Sequence, residues 1–106
     1  MKKYYVYVIE LDEKVANYNK FRKRNPKYIR GNGCVYVGQS SRVPKLRFEQ
    51  HKEGYKSNTF ARRFGVKLAP KFYEKYNPIP TRKDAKELEE YVANKLRKEG
   101  YGVWSN

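Results

Sequence analysis

The chain is poor in acid. Eleven Asp and Glu stand against 25 Lys and Arg in 106 residues, for a formal net charge of +14 at pH 7. An imbalance of this size is the electrostatic footprint of a protein that meets a polyanion, and it favours nucleic acid over a merely solvated cationic surface. Cysteine is almost absent. With Cys34 alone, a disulfide framework and a cysteine-based zinc site are both excluded, which fits a reducing intracellular setting. No apolar run approaches the roughly 20 residues of a membrane-spanning helix. Met1-Lys2-Lys3 runs straight into a strand-like segment without the apolar stretch of a secretory signal. The expected location is therefore cytoplasmic, with no membrane partner. Repeats and linkers are also missing, and the length suits one domain over residues 1–106. Hydrophobic residues make up 39%, a count that includes 11 Tyr, so tyrosine rings must help to build a small core.

The most organised stretch is Cys34-Val35-Tyr36-Val37-Gly38-Gln39-Ser40, a short apolar run closed by a glycine and small polar residues. It predicts a strand from Cys34 to Gly38, where the backbone can turn or approach a ligand. An earlier run, Tyr4 to Leu11, is dense in β-formers with both faces mostly apolar, and predicts a central strand pairing antiparallel with the first. Between them lies a basic insertion, residues 12–33. It holds Lys20, Arg22, Lys23 and Arg24 and the turn signals Asn25-Pro26 and Gly31-Asn32-Gly33. So long a connection is often functional or mobile, and of its seven basic residues these four are candidates for the nucleic-acid backbone.

Ser40-Ser41 is expected to open a helix that runs to about Glu53 and stops at Gly54, with Pro44 in its first turn. Arg47 and His51, four apart, project from one side of it. Asn58 to Phe64 reads as a short helix carrying Arg62 and Arg63, also candidate nucleic-acid contacts. Lys67 to Tyr73 reads as a third strand, confined to an edge by Pro70. Thr81-Arg82-Lys83-Asp84 resembles a capping box and starts a helix to about Glu99, ended by Gly100. Its apolar stripe is Ala85, Leu88, Val92 and Leu96, and Glu89 lies only about 50° from the middle of that stripe. A carboxylate there is costly unless paired. Glu89 is either at the core's edge with a cationic partner or a metal ligand. Trp104, in an aromatic tail, is expected to dock on the core.

Phosphodiester cleavage needs an activated water, a counter-charge on the phosphoryl oxygens and help for the leaving oxygen. Tyr7, Tyr36, Arg47, His51 and Glu89 are the residue types that supply these. Their order and spacing are distinctive: a tyrosine strand, then Tyr36-Val37-Gly38, then Arg47 and His51 eleven and fifteen residues beyond Tyr36, then Glu89 in an apolar helix. This resembles the GIY-YIG endonuclease family, with Tyr5-Val6-Tyr7 and Tyr36-Val37-Gly38 as the two triplets. Arg47 to His51 is similar to its Arg-x-x-x-His helix, and Leu88-Glu89 to its metal-binding helix. Tyr5 departs from the family's first glycine.

The resemblance implies an α/β (α+β) fold with a small central three-stranded antiparallel sheet flanked by helices. It implies a metal-dependent endonuclease hydrolysing DNA, less often RNA, with Mg²⁺ or Mn²⁺ on Glu89. Tyr7 would be the general base, with Tyr36 and His51 supporting it or sharing that role, and Arg47 would hold the scissile phosphate. Asn106 is the candidate for a further asparagine that contacts the family's site. With no separate DNA-binding domain in these residues, target choice, including branched or damaged DNA, would come from the module, the insertion or a protein partner. The competing reading is a non-catalytic basic nucleic-acid-binding protein, ribosome- or chromatin-associated. A scaffold for acidic proteins is a third, which leaves the ordered Tyr, Arg, His and Glu positions unexplained.

Overall fold

The structure, a computed structural model, describes residues 2–105. The first tyrosine-rich run forms β1 (Tyr5–Leu11) and the second forms β2 (Cys34–Ser40). They pair antiparallel in the register Tyr7 opposite Gly38 and Ile9 opposite Tyr36. Because side chains alternate along a strand, Tyr7, Ile9, Tyr36 and Gly38 share one face of the sheet. Val6, Val8, Val35 and Val37 share the other. Both faces are buried at these positions, which is why β1 reads as apolar on both sides.

The sheet has four strands in the order β3-β1-β2-β4, and it is mixed. This corrects the expectation of three antiparallel strands. The added strand, β4 (Gly102–Ser105), comes from the aromatic tail and runs parallel to β2, with Trp104 beside Tyr36. β3 (Gly65–Leu68) starts two residues before the expected third strand and stops before Pro70, which opens a single 3₁₀ turn instead. It pairs antiparallel with β1 along the edge.

The long insertion is more ordered than a loop. A 3₁₀ turn over Glu13–Asn17 and the short helix α1 (Asn19–Lys23) fold it onto the domain, burying Val15, Ala16 and Phe21. Three apolar side chains in an otherwise charged segment are enough to pin it. Trp104 stacks on Phe21 and meets Phe60 edge-on, at centroid distances of 6.2 and 4.8 Å.

Helix α2 (Pro44–Glu53) begins at Pro44, four residues later than expected, because Ser40 still belongs to β2. Gly54 ends it at φ +90°, a left-handed conformation that glycine adopts without a Cβ penalty. Helix α3 (Thr59–Phe64) is capped by the Asn58 side chain, which accepts from the Phe60 and Ala61 amides. Helix α4 (Arg82–Lys98) starts on Thr81, whose hydroxyl accepts from the Asp84 amide, a bond worth about 1 kcal/mol. Ala85, Val92, Ala93 and Leu96 are buried on its inner face, and so is Glu89.

Two asparagines satisfy strand backbone that the ladders leave open, one on β1 past the end of β3 and one on the outer side of β4. Asn77 accepts from the Val6 amide and donates to its carbonyl, at 3.0 and 2.8 Å, beyond the reach of β3. Asn25, buried, does the same to Val103 of β4 at 2.8 and 3.0 Å. No helix of the described residues is long and apolar enough to cross a membrane.

Candidate active site

The β1–β2 register places Gly38 across from Tyr7, and the absence of a side chain there lets the Tyr7 ring lie over the neighbouring strand. A Cβ on Gly38 would sit 2.5 Å from the Tyr7 hydroxyl and 3.0 Å from the Tyr36 ring. The glycine of the second triplet is therefore a steric requirement of the tyrosine in the first. Tyr7 and Tyr36 stand 6.2 Å apart, and α2 lays His51 against both rings at 6.0 and 5.2 Å. All three side chains are buried, His51 to 1% exposure.

Hydrogen bonds give this cluster a direction. The Asn58 backbone N–H donates to His51 Nδ1 at 3.1 Å. Nδ1 is thereby an acceptor, so the neutral ring carries its proton on Nε2. Nε2–H then donates to the Tyr7 hydroxyl oxygen at 2.9 Å. Tyr7 in turn is hydrogen-bonded to Tyr36, a contact that favours its protonated form. His51 is kept neutral by burial and by the nearby Arg47 guanidinium, which bring its pKa down to about 4. Burial, Tyr36 and Glu89 push the Tyr7 phenol well above its ordinary range, while Arg47 pulls it down. Arg47 and Glu89 thus both act on the Tyr7 hydroxyl from the outer side of the cluster.

Glu89 answers the alternative the sequence leaves open. It is 8% exposed, and its pKa rises to about 7. Burial is the main cause and Glu90 adds to it. Lys86 and a hydrogen bond from the Gln39 backbone amide only partly offset the rise. A cationic partner strong enough to stabilise the buried charge would hold the pKa low. Among the described residues, no three His, Cys, Asp or Glu side chains converge. A cation here would rest on one carboxylate and fill its other positions with water and phosphate oxygens, the usual habit of Mg²⁺. A lone, buried, under-compensated carboxylate fits such an ion.

Arg47 lies near the cluster with three of its five N–H donors engaged. It donates to Gln50 Oε1 at 3.2 Å and to the carbonyls of Tyr55 and Lys56 at 3.3 and 2.6 Å. Lys56 sits at φ +44°, the one positive-φ residue other than glycine among those described. The same loop therefore positions Arg47 through its carbonyls and His51 through the Asn58 amide. A phosphate can take Arg47 at the remaining Nε–H and Nη2–H while the carbonyls hold the rest of the fork.

The five predicted residues thus come together, from β1, β2, α2 and α4. The six basic residues predicted to meet nucleic acid do not join them, and they differ among themselves. Arg22 donates to the Ala16 carbonyl and to Asn19, Arg24 donates to the Ser105 carbonyl and stacks on Trp104, and Lys20 lies over Phe60 and Trp104. Lys23, Arg62 and Arg63 are exposed. Asn106 lies outside the described residues. Asn58 and Gln39 contribute through backbone amides, which no side-chain pattern announces.

A small mixed sheet and its helices bring together two tyrosines, a neutral histidine, an arginine and a buried carboxylate, the residue types that phosphodiester hydrolysis calls for. The family model of the GIY-YIG catalytic domain matches residues 3–102, nearly the whole chain, and the chain belongs to that family of DNA endonucleases. No curated protein and no solved structure gives a significant match.

Proposed function

We propose that this protein is a single-cation endonuclease cutting DNA, with Glu89 as the ligand of Mg²⁺ or Mn²⁺. The observation that carries the reading is the meeting of the directed His51–Tyr7–Tyr36 chain with a buried carboxylate of raised pKa. When bound, the cation supplies Lewis-acid stabilisation to the leaving oxygen and the developing phosphoryl charge. The chain's own residues do the rest. Arg47 meets the scissile phosphate with its free Nε–H and Nη2–H, a pair of parallel bonds between two charged partners. Tyr7 accepts the proton of the attacking water as its phenolate, after its own phenolic proton has passed to solvent, a loss that the Arg47 charge favours and that a bound cation would favour further. His51 does not share that role through Nε2, which already carries a proton. It donates to the Tyr7 oxygen and so stabilises the phenolate that must form. Tyr36 orients the Tyr7 hydroxyl. The acting pair is thus a tyrosine base and a histidine donor, both shielded from bulk water.

A non-catalytic binder leaves the cost of burying Glu89 unexplained. The discriminating experiment is cleavage of supercoiled plasmid and of branched DNA with Mg²⁺, Mn²⁺ or EDTA, wild type beside Glu89→Gln. Cutting that needs the cation and disappears in the variant is expected. Tight DNA binding by the wild type without cutting under either metal would select the binder instead.

A further inference from the structure

Six of the nine arginines of this protein contrast in how they are held. Arg22, Arg24, Arg47 and Arg97 have donors committed to acceptors of the chain itself. Arg62 and Arg63 are held by packing instead. The Arg62 guanidinium lies over Gly54, where a Cβ would come within 3.4 Å of its Cζ and Nε. The Arg63 guanidinium lies 5.6 Å from the Tyr18 ring centre and 5.3 Å from that of Phe64. Among the described residues neither guanidinium has a hydrogen bond to the protein. Both face a pocket of about 560 Å³ that they line with Lys52, Ser57 and Thr59, without an acid. Lys52 donates to the Arg62 and Gly65 carbonyls at 2.9 and 2.8 Å and keeps a third donor. The pocket's donors are side chains, because the Phe60 and Ala61 amides are already taken by Asn58.

A second basic pocket, about 340 Å³ around Arg24, Lys27, Arg97 and Lys98, differs in this respect. There Arg24 donates to the Ser105 carbonyl and Arg97 to the Val103 carbonyl. The first pocket also adjoins the active site. Ser57 directly precedes Asn58, whose amide holds His51.

We propose that the Lys52, Ser57, Thr59, Arg62 and Arg63 pocket is a phosphate subsite for the nucleic-acid strand beside the phosphodiester being cut. Planar guanidinium forks fit phosphate oxygens in pairs, and forks already ordered by ring and glycine packing lose little freedom on binding. The assignment of the neighbouring phosphate as the scissile one rests on the endonuclease reading. Binding at the pocket does not need cleavage.

The test is fluorescence anisotropy of a short labelled DNA duplex in EDTA, titrated at several salt concentrations. Arg62→Gln/Arg63→Gln is compared with Lys23→Gln/Lys27→Gln, which removes the same charge from the insertion. The arginine pair is expected to weaken binding about tenfold and to reduce the salt slope by about 0.9, one phosphate contact. The lysine pair should leave the slope where it was. Thr59→Glu places an acid in the first turn of a helix, where it is tolerated, and should weaken binding equally without lowering the melting temperature. Equal effects of the two double variants, or wild-type affinity in Thr59→Glu, would overturn the subsite. Binding that follows these expectations in a protein that never cuts would support the subsite and remove the endonuclease reading. Cutting with an unchanged slope would do the reverse.

Discussion

Replacing Glu89 by Gln should make the protein more stable above pH 7. Glu89 has its pKa raised from 4.5 to about 7, so the folded state holds its proton more tightly than the unfolded chain does. Its contribution is fully present below pH 4.5 and is lost as pH rises through about 7. At 1.36 kcal/mol per unit, the loss is about 3 kcal/mol. His51 runs the other way. Its pKa falls from 6.5 to about 4, so its contribution is present above 6.5 and is lost as pH falls through about 4, again by about 3 kcal/mol. Between pH 4.5 and 6.5 the two slopes oppose each other in the wild type. Gln has nothing to titrate, so the variant keeps only the His51 slope. The assay is urea denaturation at half-unit pH steps in EDTA. Subtracting the two stability curves cancels every group they share. The difference should be near zero at pH 4.5 and reach about 3 kcal/mol in favour of the variant by pH 8. A flat difference, or one favouring the wild type at high pH, would show that Glu89 is not a strained buried carboxyl and would undo the case for its metal role.

His51 is the chain's one histidine, so its ring nitrogens give an unambiguous NMR signal; they should report the Nε2–H form at neutral pH and a pKa near 4, and a protonated ring at pH 6 would refute the directed chain. Gly38→Ala should push the Tyr7 ring off its site, since the new methyl meets the hydroxyl. Overpacking of this kind costs about 1–3 kcal/mol, and cleavage should be lost while the fold measured by circular dichroism remains. Because Glu89 must ionise to hold a cation, Mn²⁺ affinity measured by paramagnetic broadening should rise about tenfold per pH unit below pH 7 and level off above it; affinity independent of pH would place the ion elsewhere.

Much of the site was legible because its chemistry sits in side chains on regular elements. Alternation grouped Tyr7 with Ile9 on β1 and Tyr36 with Gly38 on β2, helical spacing put Glu89 beside the apolar stripe of α4, and it took the observed register to bring the two tyrosines onto one face. What escaped depended on the backbone or on distant burial. Gly102–Ser105 is too short to announce a strand, and it becomes one because β2 offers it an open edge. Val15, Ala16 and Phe21 order the insertion only through contact with the rest of the domain, so propensity read them as loop. The Asn58 amide and the positive φ of Lys56 have no signature in residue type. Four of the insertion's basic side chains looked available for nucleic acid, yet three of them, Lys20, Arg22 and Arg24, are tied to the protein's own carbonyls and rings.

A sheet this small has two flanks on which a foreign strand could grow, and exposed flanks of that kind seed edge-to-edge aggregation. On the β4 flank Asn25 acts as a chain terminator. A side-chain amide offers one N–H and one C=O, matching a peptide unit, so it satisfies Val103 and Val6 as a neighbouring strand would. It carries no further backbone, so the ladder ends there. A protein with this much charge is kept apart from its copies by repulsion only while salt is low. Once bound nucleic acid neutralises that charge, Asn25 is what still keeps a neighbouring molecule on the same strand from adding to β4.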